Sequence, residues 1–215
     1  MLVAPGLSAS YAEAPMITIT SPSMALNDTR AVGPYNMDVN QAVQPTTTIR
    51  AMVDLVVAAA ATATGGALSN LILTAHGSPG FFQLGTGLSL ETMTPFGDVR
   101  GKVRKIWFRG CLVGRIAGPE TAAHGDGAAL QAYGLNIGDG HRFLGAFARL
   151  TGSYVVAATE MQARNRATYP RGLMDSYEGL VLCYNPAGAI SWQQRYPSLY
   201  DHNTAATTAR TPNSE

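Results

Sequence analysis

Two apolar runs in this chain each stop on a chemically capable residue beside a glycine. Residues 68–75 (LSNLILTA) form a short, nearly continuous hydrophobic stretch, the pattern of a strand buried on both faces of a parallel sheet. That run breaks abruptly at His76-Gly77-Ser78-Pro79-Gly80. Residues 104–110 (RKIWFRG) repeat the pattern and end in Cys111. The 35-residue separation of His76 and Cys111 suits strand, short helix, strand, so the two strands are expected side by side.

The elements around them continue the alternation. Residues 16–20 (MITIT) read as a short strand, and the sequence is irregular from Ser21 to Pro45. Thr46, Thr47 and Thr48 then cap a helix whose stripe Ile49, Met52, Val53, Val56, Val57 and Ala60 keeps helical spacing until Gly65-Gly66. A short capped helix is expected over 89–95. Residues 112–140, with seven glycines and little periodicity, read as one long loop insertion. Asp139 then caps a helix bearing Phe143, Leu144, Phe147, Ala148 and Leu150, closed by Gly152, and residues 154–158 (YVVAA) form another buried strand. A C-terminal β-hairpin is expected, 177–183 against 189–193 across Asn185-Pro186-Ala187-Gly188. This order predicts an α/β fold, a three-layer sandwich with a mainly parallel central sheet. The expected organisation is a disordered leader over 1–15, a single domain over 16–200 and a mobile tail over 201–215.

Composition narrows the function. With 15 basic and 14 acidic residues the net charge is +1, so no global attraction draws the chain to nucleic acid or to an anionic membrane. The most apolar window, 51–64, contains Asp54 and is too short to span a bilayer. The N-terminus lacks the basic residues of a cleavable signal, which leaves a cytoplasmic protein or one exported without such a leader. Cys111 and Cys183 are 72 residues apart with no C-x-x-C pair, which argues against a zinc site or a disulfide framework; no metal and no cofactor are expected. Cys183, inside Leu180-Val181-Leu182, reads as core filling. Asp126, Asp139 and His141 are the weak metal alternative, set against a solvated His141 and an exposed loop position for His124.

His76 and Cys111 supply complementary chemistry. A thiolate is a nucleophile, and an imidazole with an ordinary pKa of ~6.5 exchanges protons near neutrality. In open α/β sheets ligands bind beyond the carboxyl ends of the strands, where both residues are expected. The amides of Gly77 and Cys111 would then form an oxyanion hole.

The blocks 71–85 (LILTAHGSPGFFQLG), 106–111 (IWFRGC), 138–152 (GDGHRFLGAFARLTG) and 155–159 (VVAAT) resemble a caspase-like domain of large bacterial surface proteins. They are also similar to the self-cleaving cysteine protease domains of bacterial toxins and, more distantly, to the clan CD cysteine peptidases. The resemblance covers roughly residues 68 to 160. It implies a cysteine endopeptidase, with self-processing as one use, in which His76 is the general acid/base and Cys111 the nucleophile. It further implies a peptide or protein substrate. The chain departs from the pattern in three places. The caspase signature Q-A-C-x-G is absent, the loop after Cys111 is longer, and no third residue orienting His76 can be assigned.

In the resembled clan the residue two before the cysteine helps line the pocket for the side chain preceding the cut. Arg109 there would favour an anionic group, whereas Glu160, just beyond the strand forming the other wall, would favour a basic one. Ser78 and Thr159 complete the expected substrate-binding set, and Phe81-Phe82 are either a hydrophobic subsite or core. Arg100, Lys102, Arg104, Lys105, Arg109 and Arg115 crowd into 16 positions, either a solvated rim or a site for a small anionic activator. Two rivals stand beside the peptidase. One is an α/β-hydrolase with a cysteine nucleophile, for which Arg109 occupies the position of a required glycine and only His202 could serve as the late histidine. The other is a catalytically silent module that holds a peptide in the same cleft.

Overall fold

The computed structural model describes residues 16–115, 140–162 and 167–196. The strands are β1 (Met16–Thr18), β2 (Ser23–Asp28), β3 (Val39–Val43), β4 (Leu68–Thr74), β5 (Gly77–Ser78), β6 (Phe81–Phe82), β7 (Val103–Arg109), β8 (Tyr154–Ala158), β9 (Leu173–Asp175), β10 (Gly179–Tyr184) and β11 (Ile190–Tyr196). Among the described residues, two α-helices, α1 (Ile49–Thr62) and α2 (Gly140–Thr151), accompany them. Seven strands make the central sheet in the order β11-β10-β8-β7-β4-β2-β3. The five from β3 to β8 are mutually parallel, while the β10–β11 hairpin joins antiparallel at the β8 edge. The mainly parallel sheet and the terminal hairpin agree with the sequence expectation.

Among the described residues, the helices cover one face only. Chain direction explains this: after β2 the path steps outward to β3, and every later parallel crossover runs the opposite way across the sheet. Right-handed crossovers therefore put α1, the 75–102 connection and α2 on one face and the reverse crossover, 29–38, on the other. Met52, Val53 and Val56 of α1 and Phe143, Leu144 and Phe147 of α2 share one core cluster with Leu71, Leu73 and Phe108. Tyr35 and Met37 belong to a second cluster with Ile72, Trp107, Tyr169 and Tyr177. Among the described residues, the second outer layer is thus built from the β1–β9 ribbon and aromatic side chains in place of helices.

Local causes are visible in each element. Thr48 caps α1 by accepting from the Ala51 amide, and Ile49, Met52, Val53, Val56 and Ala60 are its buried side chains. Gly152, at φ 66, ends α2 in the left-handed conformation a C′ glycine supplies. Phe108 anchors the helix-side core, edge-on to Phe82, Phe143 and Phe147. Phe82 is therefore core. Cys183 is fully buried in the second cluster, as the sequence implied.

Several expectations are corrected. The stretch read as irregular holds β2 and β3, and β2 is buried throughout. The strand read over 16–20 is outside the main sheet, paired with an unforeseen β9. The helix expected over 89–95 is a 3₁₀ turn at Thr94–Val99, because Pro95 has the fixed φ that opens a helical turn and does not close this one. The leader, the tail, residues 116–139 of the expected loop, the Asp139 cap, His124, Asp126 and His202 lie outside the described residues.

Candidate active site

β4 and β7 are hydrogen-bonded neighbours, with Thr74 opposite Arg109, so His76 and Cys111 emerge two residues beyond paired strand ends. The contact there is close. A Cβ on Gly77 would lie 2.6 Å from the Cys111 carbonyl oxygen and 2.6 Å from Val113 Cγ2. On the facing strand end, a Cβ on Gly110 would lie 2.5 Å from the Ala75 carbonyl oxygen. Both positions need glycine for space, and together they let the two chain segments touch at the point where the reactive side chains branch off.

Each reactive side chain is held. His76 Nε2 lies 3.1 Å from the main-chain oxygen of Arg30, an acceptor, which makes Nε2 the protonated nitrogen of the neutral ring and leaves Nδ1 for proton exchange. The Gln162 amide donates to Cys111 Sγ at 3.4 Å, and the thiol in turn is 3.7 Å from the Gln162 oxygen. The turn after Cys111 is stitched to the end of β8: Leu112 donates to the Glu160 oxygen and Gly114 to that of Ala158. Leu112 adopts φ 61, the one non-glycine residue with positive φ among the described residues. Neither cysteine forms a disulfide.

The expected substrate-binding residues fare differently. Arg109, read as a pocket wall, is 2% exposed. Its Nη2 donates to Asp175 at 2.7 Å, its Nε to the Tyr35 hydroxyl at 2.9 Å, and its guanidinium lies 4.1 Å from the centre of the Tyr177 ring. Strand alternation explains this placement, since Trp107 and Arg109 share the face away from the helices. Burial works against the cation, but Tyr35, Asp175 and Tyr177 more than restore it and hold its pKa above the ordinary value. The same burial drives the Tyr177 hydroxyl well above its ordinary pKa. Asp175 accepts further from the Tyr35 and Tyr169 hydroxyls. The charge of Arg109 is thus matched internally.

Glu160, the proposed opposite wall, is equally engaged: its Oε1 accepts from Arg195 at 2.8 Å and from the Leu180 amide at 3.2 Å. Thr159 donates from its amide and from its hydroxyl to the Leu180 oxygen. Ser78 is buried, and its Oγ, with Thr74 Oγ1 and Arg109 Nη1, makes up the buried side-chain polar atoms without a partner among the described residues. Neither Arg109 nor Glu160 offers a substrate an uncompensated charge, which removes both halves of the conflicting preference read from the sequence.

The basic cluster disperses. Lys105 is buried near Trp107, four residues and about 13 Å along the strand from Arg109, while Arg100 donates to the Arg149 carbonyl and Lys102 to that of Asp98. His141 is exposed but engaged, 2.9 Å from the Tyr184 hydroxyl. No group of three potential ligands that could hold a metal occurs among the described residues. No described helix is long and apolar enough to cross a membrane.

Sequence reasoning missed the residues that hold the pair: Asp28 and Arg30 at the end of β2, and Gln162. Main-chain groups make the decisive contacts with His76 and Cys111, and a main-chain group leaves no signature in residue type. Comparison with protein-family models, with curated proteins and with solved structures finds no match for this chain.

Proposed function

We propose that this chain is a cysteine endopeptidase of caspase-like architecture working with a His76/Cys111 dyad. The observation that carries the reading is the forced approach of Gly77 to the Cys111 backbone, beside a histidine whose Nε2 is already engaged. A thiol, an imidazole and the two main-chain amides beside them lie at one end of the sheet, and that supports the reading.

The chemistry runs in two halves. The Cys111 thiolate attacks the scissile carbonyl, and the amides of Gly77 and Cys111 take the negative charge that develops on its oxygen. Collapse of that intermediate breaks the C–N bond as protonated His76 gives its proton, through Nδ1, to the departing amine. Water then attacks the thioester, His76 accepts its proton, and Cys111 leaves with the acid product released. Self-processing is one use of such a site; the dispersed basic residues do not support a small anionic activator.

The backbone strain favours this reading over an α/β-hydrolase. In that fold the nucleophile itself occupies a strained strand-to-helix elbow, whereas here the positive φ falls on Leu112 and the following residues turn back along β8. Purified protein is expected to cleave members of a broad peptide library, with Cys111→Ala inert and with alkylation of Cys111 abolishing cleavage. A peptide that binds the cleft and stays intact, with wild type and Cys111→Ala alike, would instead identify a silent binding module.

A further inference from the structure

We propose that Asp28 and Arg30 are positioning residues that fix the ring orientation and tautomer of His76. The proposal rests on the peptidase reading for its catalytic consequence, but its structural content stands apart from it.

The sheet order reverses at β2, since the chain leaves it for β3 on one side and returns as β4 on the other. Residues just beyond the ends of β2 and β4 therefore flank the point of the sheet at which open parallel sheets bind their ligands. Asp28, the last residue of β2, is 2% exposed. Arg30 grips it with a two-pronged pair, Nε to Oδ1 at 2.8 Å and Nη2 to Oδ2 at 2.7 Å. Asp28 also accepts from the Arg30 amide at 3.0 Å and from the Gly85 amide at 2.8 Å. Arg30 Nη2 reaches on to the carbonyls of Gln83 at 2.6 Å and Gly85 at 2.7 Å.

These contacts close a circuit through the histidine. Arg30 holds Gln83 through its side chain, the Gln83 amide donates to the His76 carbonyl at 2.8 Å, and the Arg30 carbonyl faces His76 Nε2 at 3.1 Å. His76 is thereby gripped at its backbone and at its ring by one guanidinium-centred unit. A bidentate carboxylate–guanidinium pair fixes orientation as well as distance. If the Arg30 side chain is released, its carbonyl is free to move and Nε2 loses the acceptor that selects the tautomer. A carbonyl cannot be mutated, so the Asp28 and Arg30 side chains are the handle on it.

Imidazole ¹⁵N NMR tests this directly, with His76 identified by the signal lost in His76→Gln. The proposal requires wild-type His76 to be protonated on Nε2 when neutral. In Arg30→Ala, and to a smaller extent in the near-isosteric Asp28→Asn, the ratio of the Nδ1–H to the Nε2–H form is expected to rise about fivefold or more. On a cleaved peptide, kcat is expected to fall about tenfold with KM nearly unchanged. A wild-type His76 carrying its proton on Nδ1 overturns the proposal without any variant. So does a folded Arg30→Ala, or a folded Asp28→Asn, whose tautomer ratio matches wild type. A shifted ratio in a protein that cleaves no peptide sustains the positioning role and counts only against the peptidase reading.

Discussion

Arg109 illustrates how a single side chain is committed by its surroundings. A guanidinium this deeply enclosed is tolerable only because Asp175 supplies the opposite charge and Tyr35 accepts a hydrogen bond. Removing one partner leaves the other charge buried and uncompensated, which costs far more than the pair itself contributes. Arg109→Met is therefore expected to lower unfolding stability by about 3–5 kcal/mol in urea titrations, and Arg109→Met combined with Asp175→Asn to recover much of that loss. A single-variant loss below about 1 kcal/mol would mean that the ion pair is not the anchor described here. From sequence, Arg109 was legible as important because it stands two residues before Cys111. Its role was not, because the partners Tyr35 and Asp175 lie 74 and 66 residues away along the chain and meet it only in the fold. His76 and Cys111 were legible by contrast, since each breaks an apolar run beside a glycine.

At the scale of elements, the β2–β3 pair shows why part of the sheet escaped a reading of the sequence. β2 carries Ser23, Asn27 and Asp28, residues usually found in turns, and β3 is a half-exposed edge with no apolar alternation. Each polar residue of β2 is buried because a specific partner satisfies it: Asp38 for Ser23, the Tyr35 backbone for Asn27, and Arg30 with Gly85 for Asp28. Local pattern and tertiary role disagree in this strand, and its far end holds the histidine. Asp38 fastens the near end, accepting from the Ser23 amide at 2.9 Å and from Arg171 at 2.9 Å.

Partial burial raises the Asp38 pKa, but hydrogen bonds from Ser21, Ser23 and Arg171 outweigh it and push the carboxyl down to about 2. A depressed carboxylate stabilises the fold fully above its ordinary value of 3.8 and loses that contribution as pH falls towards its folded value. The stability difference between wild type and Asp38→Asn, measured by urea midpoints across pH, should therefore be largest above 3.8 and shrink as pH approaches about 2. A difference that stays constant over that window would exclude the carboxylate as the fastening group.

For the molecule as a whole, strand order does the positioning. Three of the five parallel strands, β4, β7 and β8, were foreseeable, since uninterrupted apolar runs can be buried on both faces, and the terminal hairpin followed from its Asn-Pro-Ala-Gly turn. The placement of α1 and α2 on one face was not foreseeable, because it depends on β2 and β3 occupying the far edge and so reversing one crossover. That reversal falls between β2 and β4, with β7 next in line, and it brings Arg30, His76 and Cys111 to the same end of the sheet from three separate segments. The central claim is that this convergence cuts peptide bonds. Intact-mass analysis over time, at equal concentrations of wild type, Cys111→Ala and His76→Ala and with added peptide pools, tests it most directly. The account predicts defined cleavage products, whether of the chain itself or of added peptides, that accumulate only with wild type. Products that form equally with all three proteins, or wild-type protein that leaves every peptide and itself intact, would contradict it.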